Sequence, residues 1–254
     1  MTPHARASRR LLLLSNSRDA EGRYLVHARD ALAAHLLGVR EAAFVPYAGV
    51  TVAWDAYTAR VAAALAPLGV AVRGVHADAD PAAAVRAADA VLVGGGNTFH
   101  LLRELQRTSV LAALRARAAD GTPYVGWSAG SVVAGPTIRT TNDMPIVEPP
   151  GGLGALGLVG FQLNAHFTDA HPPGFQGETR RERLAEFVAA NPGVGVVGLP
   201  EGSWLHADGA RVTVEGAHSA VLFGGTDVQG AVDAATEVPP GQPLPEWLEG
   251  AGIP

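Results

Sequence analysis

Tyr124-Val125-Gly126-Trp127-Ser128-Ala129-Gly130-Ser131 is the stretch from which the rest of the 254-residue chain is read. It holds Gly126-x-Ser128-x-Gly130, the G-x-S-x-G spacing of a nucleophile elbow. A β-branched approach through Val125 runs into the serine, and small residues leave it into what reads as a helix. A serine on so sharp a strand-to-helix turn projects its hydroxyl outward, and the turn has no room for Cβ atoms on either side. The backbone N–H of Ala129 then points where an oxyanion would form. Small residues around a serine also mark ordinary tight turns, so the pentapeptide alone leaves both readings open.

Upstream of the elbow, apolar strands alternate with helical periods. Strands are predicted over residues 10–15, 42–46, 70–75, 90–93 and 123–127. Helices are predicted over 23–37, from a Thr51 cap to about residue 65, from Pro81, and from the glycine run at 94–96 to about residue 117. This alternation predicts an α/β fold with a mainly parallel sheet sandwiched between helices. Downstream the pattern changes. Residues 137–150 have no period, residues 161–164 form a strand feeding His166, and residues 178–190 form a charged helix. Short strands at 194–199, 204–206, 210–214 and 220–223, with turn residues between them, predict antiparallel pairing near the C-terminus. Residues 1–8 read as a leader and the proline-rich stretch from about 238 as loose. No repeat or linker divides residues 1–254, so one domain is expected.

Bulk composition narrows the function classes. Hydrophobic residues make up 48% and charged residues 17%, enough for a large core and against disorder. The net charge is -5 and no basic stripe is visible, which argues against nucleic acid or an anionic membrane as partner. There is no cysteine, which excludes disulfides, thiolate metal sites and a cysteine nucleophile. The Leu11 to Leu14 run is too short for a signal peptide or a membrane span. A cytoplasmic protein is expected, with a homodimer as a compatible state.

A nucleophilic serine needs a base, and the base an orienting acid. His166 is the candidate base, because it follows a strand and sites in open α/β sheets gather at the carboxyl ends of strands. Asp143, in a segment without period, is the candidate acid; a solvated loop aspartate is the competing reading. Gly94-Gly95-Gly96-Asn97 lies between a strand and a helix, where bare backbone N–H groups can approach a ligand. It lacks the third glycine of a dinucleotide loop and the lysine of a P-loop. It reads better as the second half of an oxyanion hole, with Asn97 a candidate to touch substrate. No H-E-x-x-H pattern occurs, so neither a metal nor a cofactor is expected.

Taken together, these residues resemble the peptidase E family of α-aspartyl dipeptidases. The landmarks are Leu-Leu-Leu-Leu-Ser-Asn-Ser at 11–17, Phe-Val-Pro-Tyr-Ala-Gly-Val-Thr at 44–51, Gly-Gly-Gly-Asn-Thr-Phe at 94–99 and Gly-Trp-Ser-Ala-Gly-Ser at 126–131. They continue with Pro-Thr-Ile-Arg-Thr-Thr-Asn-Asp-Met-Pro-Ile-Val at 136–147, Gly-Glu-Thr-Arg at 177–180 and Leu-Pro-Glu-Gly at 199–202. The resemblance implies a class I glutamine amidotransferase-like α/β sandwich. It implies a nucleophile at Ser128, a base at His166, an acid at Asp143, and an oxyanion hole from the backbone of Gly96 and Ala129. It also implies that Arg180 reads the substrate carboxylate. The activity implied is serine-type hydrolysis of Asp-X dipeptides through an acyl-enzyme. Alternatives are a cyanophycinase-like peptidase acting on β-aspartyl-arginine bonds, an α/β-hydrolase esterase, and a domain that only binds a small ligand. An extra residue in the glycine-rich loop at 150–154, Ala165 in place of a proline, and a longer tail depart from the family pattern.

Overall fold

The computed structural model describes residues 9–170, 173–174, 176–224 and 235–250; the leader expected at 1–8 lies outside them. Strands are numbered in chain order. The five upstream strands are β1 (Arg10–Leu14), β2 (Glu41–Val45), β3 (Ala71–Gly74), β4 (Ala90–Val93) and β5 (Tyr124–Trp127). They are followed by β6 (Gln162–Ala165), β7 (Val196–Leu199), β8 (Ser203–Asp208), β9 (Arg211–Gly216), β10 (Ala220–Phe223) and β11 (Thr236–Val238). The first sheet runs β3-β2-β4-β5-β1-β8-β9, with β1 to β5 parallel and β8 and β9 antiparallel. The second runs β11-β10-β7-β6, in which only β6 and β7 are parallel. The expected α/β class, with antiparallel strands toward the C-terminus, is the one observed.

Alternation along β1 sorts its leucines to the two faces of the sheet. Leu11 and Leu13 join a core with Leu163, Val197 and Leu205, which welds the two sheets together. Leu12 and Leu14 face the opposite way, into a core with Leu32, Val61, Phe44 and Trp127. Strands β4 and β5 are buried along their whole length, as central parallel strands covered on both faces must be.

Several helix expectations are corrected. The helix expected over 23–37 shortens to α1 (Arg29–His35), because Leu25 adopts φ 58° where its N–H turns back to the Ser17 carbonyl. Thr51 caps nothing: α2 (Trp54–Leu65) starts from Ala53 without a side-chain cap. A short helix α3 (Pro81–Ala87) does begin at its proline, capped by Asp80. The long helix expected after the glycine run is two, α4 (Thr98–Arg107) and α5 (Val110–Ala119). Between them the Thr108 hydroxyl folds back onto the Glu104 carbonyl at 2.6 Å, and Ser109 takes φ 59°. The elbow helix α6 (Ala129–Val132) is one turn long, and α7 (Arg180–Ala190) carries a Thr179/Glu182 capping box.

Of the stretch expected to be loose, from about 238 to 254, residues 251–254 lie outside the described residues, and 238 to 249 is not loose. Its backbone bonds to β9 through Val214 N–H to Gln242 O and Leu244 N–H to Val212 O, and Leu248 is fully buried. Glu249 closes a bidentate pair with Arg9, at 2.8 and 3.0 Å, and Arg9 is itself 0% exposed.

Candidate active site

The elbow is fixed by its neighbours on both sides. Ser128 N–H and the Ser131 hydroxyl both donate to the Leu14 carbonyl at the end of β1, at 3.0 and 2.7 Å. Ser128 itself takes φ 52°, ψ -116°, a strained conformation of the kind that displays a nucleophile. Gly130 is obligatory: a Cβ there would stand 2.0 Å from the Val93 carbonyl oxygen of β4.

His166 follows directly on β6 in the other sheet, with φ 55°. Ser15 brings the sheets into register at this point. Its hydroxyl accepts from the His166 N–H at 2.9 Å and donates to the Leu199 carbonyl of β7 at 2.7 Å. As a result His166 Nε2 lies 2.9 Å from Ser128 Oγ. The other ring nitrogen, Nδ1, lies 2.6 Å from Glu201 Oε1. A proton on Nδ1, donated to that carboxylate, leaves the Nε2 lone pair facing the serine hydroxyl. Glu201 stands two residues beyond the end of β7, the parallel neighbour of β6, and the Gly202 N–H next to it is held by Asn16 Oδ1 at 2.8 Å.

Asp143, the acid expected at His166, is engaged elsewhere. Its carboxylate accepts from the Thr98 N–H at 2.7 Å, from the Thr98 hydroxyl, and from the Thr141 hydroxyl at 3.2 Å. The unpaired N–H groups and positive dipole end of α4 favour an anion there. The acid beside His166 in this fold is therefore Glu201. Its sequence signal is the Leu-Pro-Glu-Gly segment at 199–202, a landmark of the resemblance to which no catalytic role attaches.

Ser128 and His166 open into a cleft of about 460 Å³, which Gly96, Asn97, Arg18 and Arg60 also line. Gly96 has φ 139°, and a Cβ on it would sit 2.1 Å from the Ala48 carbonyl oxygen. Among the described residues, neither the Gly96 nor the Ala129 N–H has a protein acceptor, as an oxyanion hole requires. The Asn97 side chain caps α4, accepting from the His100 N–H at 3.0 Å, and donates to the Met144 carbonyl at 2.9 Å. Asn97 therefore borders the cleft while its amide also holds the loop over it.

Arg180 does not line this cleft but shares the next one, of about 830 Å³, with His166 and Glu201. Its Nη1 donates to the His166 carbonyl and, at 3.5 Å, to that of Ala165. It borders a neighbouring cavity of about 920 Å³ with Asp143 and Arg139. Burial lowers its pKa, opposed by the charges of Glu201 and Asp143. Among the described residues, no helix is long and apolar enough to cross a membrane.

Residues 11–215 match the model of peptidase family S51. The chain is 51% identical over 213 residues to a peptidase E of Citrobacter koseri, covering 84% of this chain and 93% of that protein. It is 48% identical to a peptidase E of Escherichia coli K12, with the same coverage. Among solved structures it resembles a peptidase from an acI-B1 actinobacterium with a TM-score of 0.67 and 14% identity, covering 93% of this chain and 96% of the other. That last likeness carries the fold only.

Proposed function

The chain belongs to peptidase family S51 and is a peptidase, and from that premise we propose that it is a serine exopeptidase releasing aspartate from Asp-X dipeptides. The observation that carries the serine mechanism is the 2.9 Å contact of Ser128 Oγ with His166 Nε2. In this mechanism His166 takes the hydroxyl proton as Ser128 attacks the scissile carbonyl. The oxyanion forms against the N–H groups of Gly96 and Ala129. His166⁺, held by Glu201, returns the proton to the leaving amine, and water releases aspartate from the acyl-enzyme.

Selectivity for aspartate is assigned to Arg180, whose planar fork can give two parallel N–H bonds to a carboxylate. Its present acceptors are neutral carbonyls, which an anionic side chain entering beside His166 would outcompete. The test is hydrolysis of Asp-Leu and Asn-Leu by the wild type, Ser128→Ala and Arg180→Met. Ser128→Ala should be inactive yet folded, and activity within about tenfold of wild type would end the serine reading. Wild type should prefer Asp-Leu by at least about 100-fold, and Arg180→Met should lose most of that preference. An unchanged ratio in Arg180→Met would move the role to another cation, such as Arg139.

A further inference from the structure

Tyr57 is absent from the mechanism above, yet its hydroxyl touches the loop that supplies half of the oxyanion hole. It projects from α2 into the core, 5% exposed. Its oxygen lies 3.0 Å from the Gly95 carbonyl, 2.9 Å from Trp127 Nε1 and 3.4 Å from the Tyr24 hydroxyl. The indole N–H can only donate, so the Tyr57 oxygen accepts it. Tyr57's single proton therefore goes to the Gly95 carbonyl. Burial raises the phenol pKa, so that proton stays in place at neutral pH.

The Gly95–Gly96 peptide has a glycine on each side, and nothing intrinsic to the chain stops it from turning over. It is trans, so its C=O and N–H point in opposite directions. Fixing the carbonyl on Tyr57 turns the Gly96 N–H away from Tyr57, where it finds no protein acceptor among the described residues. The loop is close to the nucleophile: a Cβ on Gly95 would lie 3.0 Å from Ser128 Cβ. Its ends are pinned by Gly94 N–H to Val45 O and Asn97 N–H to Ala48 O, at 3.1 and 2.9 Å, which leaves the middle peptide as the free joint.

Resting on the serine reading, we infer that Tyr57 is a positioning residue that locks the Gly95–Gly96 peptide with its N–H presented to the oxyanion. Without the hydroxyl, the peptide samples the flipped state, which would present a carbonyl oxygen to the developing negative charge.

The test is Tyr57→Phe, with kcat expressed per serine labelled by a fluorophosphonate so that unfolded protein is not counted. For Asp-Leu, kcat should fall about 10- to 100-fold, in the range of a weakened oxyanion donor, with KM within twofold. Affinity for an aspartyl aldehyde, which forms a tetrahedral adduct, should fall in parallel, while inhibition by free aspartate stays unchanged. Replacing Tyr57 with 4-aminophenylalanine, which restores a donor at the same place, should recover most of kcat. A Tyr57→Phe kcat within twofold of wild type, or a loss confined to KM, overturns the inference. So does equal impairment of the phenylalanine and aminophenylalanine variants. A Ser128→Ala enzyme that still cleaves Asp-Leu would instead bring down the serine reading on which this rests.

Discussion

Ser128 follows a strand of one sheet and His166 a strand of the other; Ser128 is held by the Leu14 carbonyl of β1, and His166 by the next residue, Ser15, which also bonds the Leu199 carbonyl of β7. Single residues thus divide into those that react and those that hold. In the proposed mechanism Glu201 orients the imidazole, so Glu201→Gln should lower kcat for Asp-Leu by about 100-fold or more with little change in KM. The comparison is Asp143→Asn. It should leave kcat within about tenfold and instead lower the melting temperature, because it weakens an acceptor of three donors at a helix start. Steady-state kinetics on both variants decides which acid serves His166. At this scale the sequence was only partly legible. Ser128 and His166 come forward because a nucleophile elbow and a strand-end histidine are local patterns, and the structure sets the two side chains 2.9 Å apart. The acid is not legible in this way: the resemblance points to Asp143, whereas Glu201 reaches His166 through the pairing of β6 with β7, which no local pattern shows. Arg180 comes forward through the resemblance, and its capture by the His166 carbonyl is a tertiary contact that no local pattern shows.

Secondary-structure elements were legible where burial is total. The runs at 90–93 and 124–127 are apolar because both faces of the sheet are covered, and their predicted bounds hold to within a residue. Helix breaks were less visible. Leu101 and Leu105 are buried at helical spacing, and so are Val110 and Leu114, but the five-residue step between the pairs turns an ideal helix by about 500°, so this phase jump of about 140° is the trace that the turn at Thr108 and Ser109 leaves in the sequence. The elbow shows what elements impose on one another. Because β4 runs behind α6, Gly130→Ala would force a methyl group onto the Val93 carbonyl. That substitution should cost about 3 kcal/mol or more, since backbone rather than a flexible side chain must yield. Urea denaturation of the variant, with activity followed in parallel, measures both the stability and the distortion of Ser128.

Across the whole molecule, a buried histidine contributes to the response to pH, and a buried arginine ties residue 9 to residue 249. His35 is 4% exposed, and burial, reinforced by His206 and Arg10, lowers its pKa to about 4. The unfolded chain takes up a proton near pH 6.5 that the folded chain refuses, so this contribution is complete above pH 6.5 and is lost as pH falls toward 4. It amounts to about 3 kcal/mol at most. Denaturation curves at pH 7 and 4.5 should show a smaller difference for His35→Gln than for wild type. Arg9 is sealed by Glu249, so Glu249→Ala should destabilise by about 3 kcal/mol, and Arg9→Met with Glu249→Leu should recover much of it. The packing of 238–249 was not legible, because proline-rich composition looks the same whether a segment is solvated or laid along a strand edge.

The Arg9–Glu249 clasp has a further consequence for synthesis on the ribosome. The two partners are 240 residues apart, and at about 5–20 residues per second a nascent chain waits on the order of 10–50 s between them. Through that interval β1, the strand both cores are built on, has a guanidinium beside it with no counter-charge in place. Folding can proceed around the strand, but its last desolvation step is deferred until Glu249 emerges, so a ribosome stalled before that codon would hold a chain still open to proteolysis.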